Sequence, residues 1–197
     1  MSQAEHPDLQ ETPVATEPVF DGHFLHVQRD TVRLPDGALA TREYIKHSGA
    51  VMVIPLLDNG SVLMERQWRT PMRRVMIEFP AGKLDAGESW QACARRELRE
   101  ETGYSAAEWA YIGIINNAIS YSDEAIHLAF ARGLTPGRQQ LDAHEFLDVF
   151  EASAADVLGW VREGSITDVK TVIGAFWLDK LLSGAWELPW QRLDGQI

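Results

Sequence analysis

Between residues 19 and 46 apolar and polar residues alternate in two runs, VFDGHFLHVQRDTVRL and ALATREYIK, separated by the turn Pro35-Asp36-Gly37. Alternation with period two predicts half-buried strands, here a small antiparallel β element. The pattern then changes to a continuous apolar run, AVMVIPLL (50–57), the turn Asp58-Asn59-Gly60 and the alternating SVLMERQW. Asn-Gly between two such runs predicts a hairpin that opens a central sheet. RRVMIEFP (73–80) reads as a further strand, delivering the chain into the Ala81-Gly82 turn.

After a second glycine turn at 85–87, residues 89–102 carry the Ala, Arg, Leu and Glu content of a helix, stopped by Gly103 as a left-handed cap. Strands are expected at EWAYIGIIN (108–116) and EAIHLAFAR (124–132), joined by the polar loop NAISYSD, and a short one at FLDVFEA. Two helices close the chain. One covers 153–163, with Ser153 and Asp156 spaced as a capping box; the other covers 168–182, with Trp177, Leu178, Leu181 and Leu182 at core spacing. The order strand, glycine loop, helix places the chain in the α/β class.

Composition narrows the possibilities. At 197 residues, with 45% hydrophobic and 24% charged residues, the chain is ordinary globular material for one substantial domain plus a small element. The divisions expected are a flexible acidic tail over 1–18, the β element over 19–47 and the main domain over 48–197. A net charge of −11 argues against non-specific nucleic-acid binding, which needs clustered Lys and Arg. Neither a spanning segment nor a basic, apolar leader is present, so no membrane partner is expected. The single cysteine, Cys93, rules out an intrachain disulfide, and a reducing cytoplasm is the simplest compartment.

The helix at 89–102 poses a problem. Glu97 faces both Glu100 and Glu101, and like charges at that spacing repel by roughly 0.2–0.5 kcal/mol per pair. One reading is a solvated surface helix, since Arg95, Arg96 and Arg99 interleave with the glutamates. The other is a divalent cation: three converging carboxylates suit Mg²⁺, which takes one or two carboxylates, keeps waters and shares its other positions with phosphates. A glycine loop ahead of the helix lets backbone groups approach the same ion.

Gly82, Glu88, Arg96, Glu97, Leu98, Glu100, Glu101, Gly103 and Tyr104 stand at the spacing of the signature box of the Nudix hydrolases, and the chain resembles that family. The resemblance implies a Nudix-type α/β/α sandwich with a mixed central sheet and hydrolysis of a nucleoside diphosphate linked to another moiety. It also implies Mg²⁺, with Mn²⁺ as substitute, held by Glu97 and Glu101 with Glu100 assisting and the Ala81 carbonyl completing the site. Arg96 would orient a box glutamate, and Glu88 would tie the loop to the helix.

Outside the box, SGAVMVIPLLDNGSVLMERQWR, EFPAGKLDAGES, SDEAIHLAFARGL and GSITDVKTVIG resemble the ADP-ribose pyrophosphatase group over roughly 44–177. By that resemblance Arg69 suits a phosphate, although a surface arginine with a carboxylate partner is the plainer reading, and Glu78 faces the site. The late acidic loop QLDAHEFLDV would supply the base that activates water, with Glu145 first and Asp142 second. The N-terminal strands are similar to the element through which such enzymes dimerise, with Phe24 and Arg42 placed to stack on and hydrogen-bond a base. One departure stands out: Ile119, just before SDE, occupies a place where ADP-ribose hydrolases often have proline. GDP- or ADP-hexoses and nucleoside triphosphates therefore stay open as substrates, and outside the enzyme class a nucleotide sensor is the remaining alternative.

Overall fold

A computed structural model describes residues 6–193. They divide into two compact units, one holding the chain up to His47 together with Ala118–Glu124, the other holding Ser48–Asn117 and the chain from Ala125 onward.

In the first unit β1 (Thr12–Asp21), β2 (His26–Arg33) and β3 (Leu39–Lys46) form an antiparallel sheet in that order. The flexible tail expected over 1–18 is corrected here. Residues 1–5 lie outside the described residues, Pro7–Leu9 is a 3-10 turn, and β1 is ordered strand from Thr12. Its acidic, proline-punctuated composition concealed it. Pro13 and Pro18 sit at the two register shifts against β2, and a residue without an N–H is tolerated at a bulge on an edge strand. All ten residues of β1 are exposed, so pairing with β2 rather than burial holds it. The segment 118–124 joins this unit at β3: Ile45 N–H donates to the Tyr121 carbonyl at 2.8 Å. Asp123 accepts from Lys46 Nζ and, at 2.8 Å, from the His47 amide.

The second unit is built on a mixed sheet ordered β7 (Ala81–Lys83), β4 (Ala50–Pro55), β9 (Ile126–Pro136), β8 (Tyr104–Ile115), in which β4 and β9 run parallel. Every residue of β4 is buried, which explains its unbroken apolar run: both faces are covered. Val51 and Val53, with Ala129 and Ala131, pack on Cys93, Ala94 and Leu98 of α1 (Trp90–Thr102). On the opposite face Met52, Ile54, Leu128 and Phe130 meet Val157 of α2 (Ala154–Glu163) and Ala175 and Leu178 of α3 (Val169–Leu182). This is the α/β/α sandwich. Leu182, read as core, is 45% exposed because α3 ends there.

A second, antiparallel sheet is ordered β10 (Leu147–Ala152), β5 (Val62–Arg69), β6 (Arg74–Glu78). It corrects the expected hairpin. The Asn59-Gly60 turn closes with Leu57 N–H donating to Ser61 O at 2.8 Å and a single bridge, Leu56 to Val62, after which the strands part into different sheets. Both edges of β4 are already taken by β7 and β9, which leaves β5 to pair with β10 and β6.

The helix caps follow the sequence. Ser89 Oγ accepts from Ala92 N–H, Ser153 Oγ from Asp156 N–H, and the Asp168 carboxylate from Thr171 N–H. Gly103, at φ 79°, ends α1 in the left-handed conformation.

Candidate active site

The site is built where β7 runs into α1. Ala81 N–H donates to Glu101 Oε2 at 3.0 Å. At Gly82 a Cβ would lie 1.8 Å from Glu97 Oε1, so the Glu97 carboxylate rests directly on the backbone and a side chain there would displace it. Glu97 and Glu101 are both buried, Glu101 at 3% exposure. The charge conflict along the helix is met in part by Arg96. Its Nη1 donates to Glu97 at 2.7 Å and Glu100 at 3.2 Å, its Nε and Nη2 to Glu88 at 3.0 and 2.9 Å, and Nη2 also to the Lys83 carbonyl at 3.0 Å. Glu88 in turn accepts from Asp85 N–H at 3.1 Å, fastening the glycine loop to the helix.

A second set of charges comes from the antiparallel sheet. Residues two apart on a strand share a face, so Glu65, Gln67 and Arg69 of β5 point the same way. Arg69 grips Glu78 of β6 through Nε at 2.7 Å and Nη2 at 2.9 Å. Lys170 of α3 reaches the same carboxylate at 2.5 Å and Asp168 at 3.0 Å. Glu78 was expected to face substrate; instead its side chain is 3% exposed and both oxygens are engaged. It holds Arg69, whose own side chain keeps 38% of its surface open. Gln67 Nε2 donates to Glu145 Oε1 at 3.4 Å, and Asp142 N–H donates to Glu145 Oε2 at 3.3 Å. The late acidic loop therefore turns back to β5, through a left-handed His144 at φ 70°.

Glu65 is fully buried, and neither of its carboxylate oxygens has a hydrogen-bond partner. Burial first, and the Glu78 charge next, push its pKa up to about 8. Burial also raises Glu101, to about 10, with Glu65, Glu97 and Glu145 adding to it in that order. Burial raises Glu97 against the opposing pull of Arg96. Glu78 moves the other way: burial would raise it, but the Arg69 hydrogen bond and the Lys170 charge outweigh that and hold it below the usual carboxylate range. The result is a buried group of acids that burial drives toward the protonated, neutral form, beside a cluster in which Arg69 and Lys170 are neutralised by Glu78 and Asp168. Burial lifts the Cys93 thiol to about 12, so it packs as an inert small residue on the inner face of α1.

This donor set fits a hard divalent cation. It is all oxygen, concentrated against a glycine backbone, and includes a buried carboxylate with both oxygens unspent. Among the described residues no three acidic, histidine or cysteine side chains already surround a common ion position. Glu97 and Glu100 each give one oxygen to Arg96.

Phe24 and Arg42 lie in the first unit, where Phe24 is 55% exposed and Arg42 pairs with Glu11. Ile119, 84% exposed, belongs to the segment of that unit tied to β3. Three participants escaped the sequence reading: Glu65, Gln67 and Lys170. The signal for Glu65 was present, as a lone acid within the otherwise apolar start of SVLMERQW; nothing local marked Lys170.

Residues 46–169 match the NUDIX domain, and residues 11–45 match the nucleoside diphosphate sugar hydrolase N-terminal domain. The ADP-ribose pyrophosphatase of Bacillus subtilis is 37% identical, over 83% of this chain and 89% of its own length. The methanol dehydrogenase activator of Bacillus methanolicus is also 37% identical, over 86% of this chain and 93% of its own. A crystal structure of an ADP compounds hydrolase superimposes with a TM-score of 0.80, covering 90% of this chain and 97% of that one, at 23% identity.

Proposed function

The chain belongs to the Nudix hydrolase family, and from that premise we propose that it cleaves the pyrophosphate bond of ADP-ribose to AMP and ribose 5-phosphate with Mg²⁺, Mn²⁺ substituting. The observation that carries this reading is the packing of buried Glu97 and Glu101 against Ala81 and Gly82, in a chain so similar to an ADP-ribose pyrophosphatase. Glu97, Glu101 and the Ala81 carbonyl hold the cation, and Glu100 completes its surroundings. When bound, the cation supplies neutralisation of the pyrophosphate and a more acidic water.

The chain's own groups do the rest. Arg69, fixed by Glu78, which Lys170 holds in turn, presents its exposed edge to a phosphate oxygen of the substrate. Glu145, steadied by Gln67 and the Asp142 amide, takes the proton of the attacking water. Arg96 sets the rotamers of Glu97 and Glu100 and touches no substrate. The bond that forms joins water oxygen to phosphorus, and the bond that breaks is the phosphoanhydride.

The enzyme works as a cytoplasmic homodimer through its N-terminal sheet. Support comes from β1, an exposed strand that carries Val14, Val19 and Phe20 at 45–56% exposure. Phe24 and Arg42 of one subunit contribute to holding the base bound by its partner. Among the described residues no helix is long and apolar enough to cross a membrane.

A second reading, hydrolysis of another nucleoside diphosphate sugar, is favoured by the match of residues 11–45 to an N-terminal domain of that name. A Mg²⁺ assay of ADP-ribose, ADP-glucose, GDP-mannose, NADH and a deoxynucleoside triphosphate, with products identified, separates the two. Preferred conversion of ADP-ribose to AMP supports the first reading. Preference for a hexose derivative moves specificity to the second, and release of pyrophosphate from the triphosphate as the dominant activity overturns both.

A further inference from the structure

We infer that Glu65, outside the signature box, is an additional carboxylate of the metal centre, whose buried and unpartnered oxygens are stabilised only when the divalent cation is bound. This rests on the metal-dependent reading above and extends it to a residue of β5.

Buried carboxylates in folded proteins are hydrogen-bonded or paired, and one that is neither calls for a specific explanation. Glu65 is 0% exposed with both oxygens unsatisfied. The two cations within reach are spent elsewhere: Arg69 donates twice to Glu78, and Lys170 donates to Glu78 and Asp168. Neither forms a hydrogen bond with Glu65.

Position says what the acid serves. Glu65 stands in register opposite Glu78 on β6 and opposite Val149 on β10, on the strand face that next presents Gln67 to Glu145. An apolar residue here would extend the buried start of β5, formed by Val62, Leu63 and Met64, at no electrostatic cost. A buried acid in that place weakens the metal-free protein, and its ionised form gains a partner only when a cation binds. Supporting groups behind metal ligands are worth about 10–100-fold in affinity.

The test compares the full-length wild type with Glu65→Gln and Glu65→Val, using Mg²⁺ titration calorimetry and thermal unfolding in EDTA and in Mg²⁺. The inference expects the metal-free unfolding temperature of both variants to equal or exceed that of wild type. It expects the upward shift on adding Mg²⁺ to shrink and the Mg²⁺ dissociation constant to rise by about tenfold. A dissociation constant within twofold of wild type in the variants would overturn it, and so would failure of both variants to fold without metal, which would make Glu65 a structural acid. The underlying reading fails separately. If wild type binds no Mg²⁺, both fall; if wild type binds and Glu101→Gln does not, while the Glu65 variants bind normally, only the present inference falls.

Discussion

Arginine and glutamate meet in both units, under opposite conditions. In the N-terminal sheet Arg29 bridges Glu17 at 3.1 Å and Glu43 at 2.6 Å, with Arg29 39% exposed and the two acids 64% and 56% exposed. In the second unit Arg69 and Lys170 enclose Glu78, a carboxylate at 3% exposure. Water screens the first set, so it contributes little and can be lost cheaply. The second set is desolvated, so each charge depends on its partners, and removing one strands the others. Glu65 shows what happens where a buried carboxylate is given no partner by the protein at all. The same residue types serve as surface decoration in one region and as a charged foundation for chemistry in the other.

The largest effect tests whether the buried acids work on the reaction. Glu101→Gln is expected to lower turnover by about 10²–10³-fold or more while far-ultraviolet circular dichroism stays that of a folded protein. Near-normal turnover would remove Glu101 from the metal centre. Glu145→Gln is expected to cost about a hundredfold in kcat, with calorimetric Mg²⁺ affinity retained; an unchanged rate would return the base to Asp142 or to solvent.

Next comes the foundation itself. Lys170→Met leaves Glu78 and Asp168 short of a buried cation and should destabilise the fold by about 3–5 kcal/mol in urea unfolding. A loss below 1 kcal/mol would put this cluster in the same category as the surface pairs. The pH dependence of the metal-free protein sharpens the contrast further. Glu65 and Glu101 have folded-state pKa values raised from the usual 4.5 to about 8 and about 10. Between 4.5 and those values the native state binds more protons than the unfolded chain, so their contribution favours folding at low pH and is lost as pH rises. The stability of Glu101→Gln relative to wild type in EDTA should therefore increase from pH 5 to pH 9, and a difference that does not change with pH would contradict the assigned burial. Smallest of all, Arg29→Ala should change unfolding free energy by under about 1 kcal/mol.

How much of this could be read from the chain depends on the range of the interactions involved. Glu97, Glu100 and Glu101 lie on one helix, where spacing alone makes them neighbours, and the glycine that admits Glu97 precedes them by a single short loop. The helix caps were legible for the same reason. The β4–β5 hairpin was misread because a turn signal reports local geometry and carries no information about competition for strand edges. β1 was misread because exposed edge strands lack the apolar alternation that marks burial. Arg69 and Glu78 were recognised individually, but their mutual pairing requires the β5–β6 register, and Lys170 joins them across ninety-two positions of sequence.

By itself the sequence determined the elements that rest on neighbours in the chain: the acidic helix with its left-handed cap at Gly103, the glycine loop, and the cluster of acids along that helix. Only the tertiary structure decided which charges are desolvated and who neutralises whom. That follows from the physics, because the strength of a charge interaction is set by burial and by distances between separate elements, and neither quantity exists until the two sheets and three helices described in the second unit have packed.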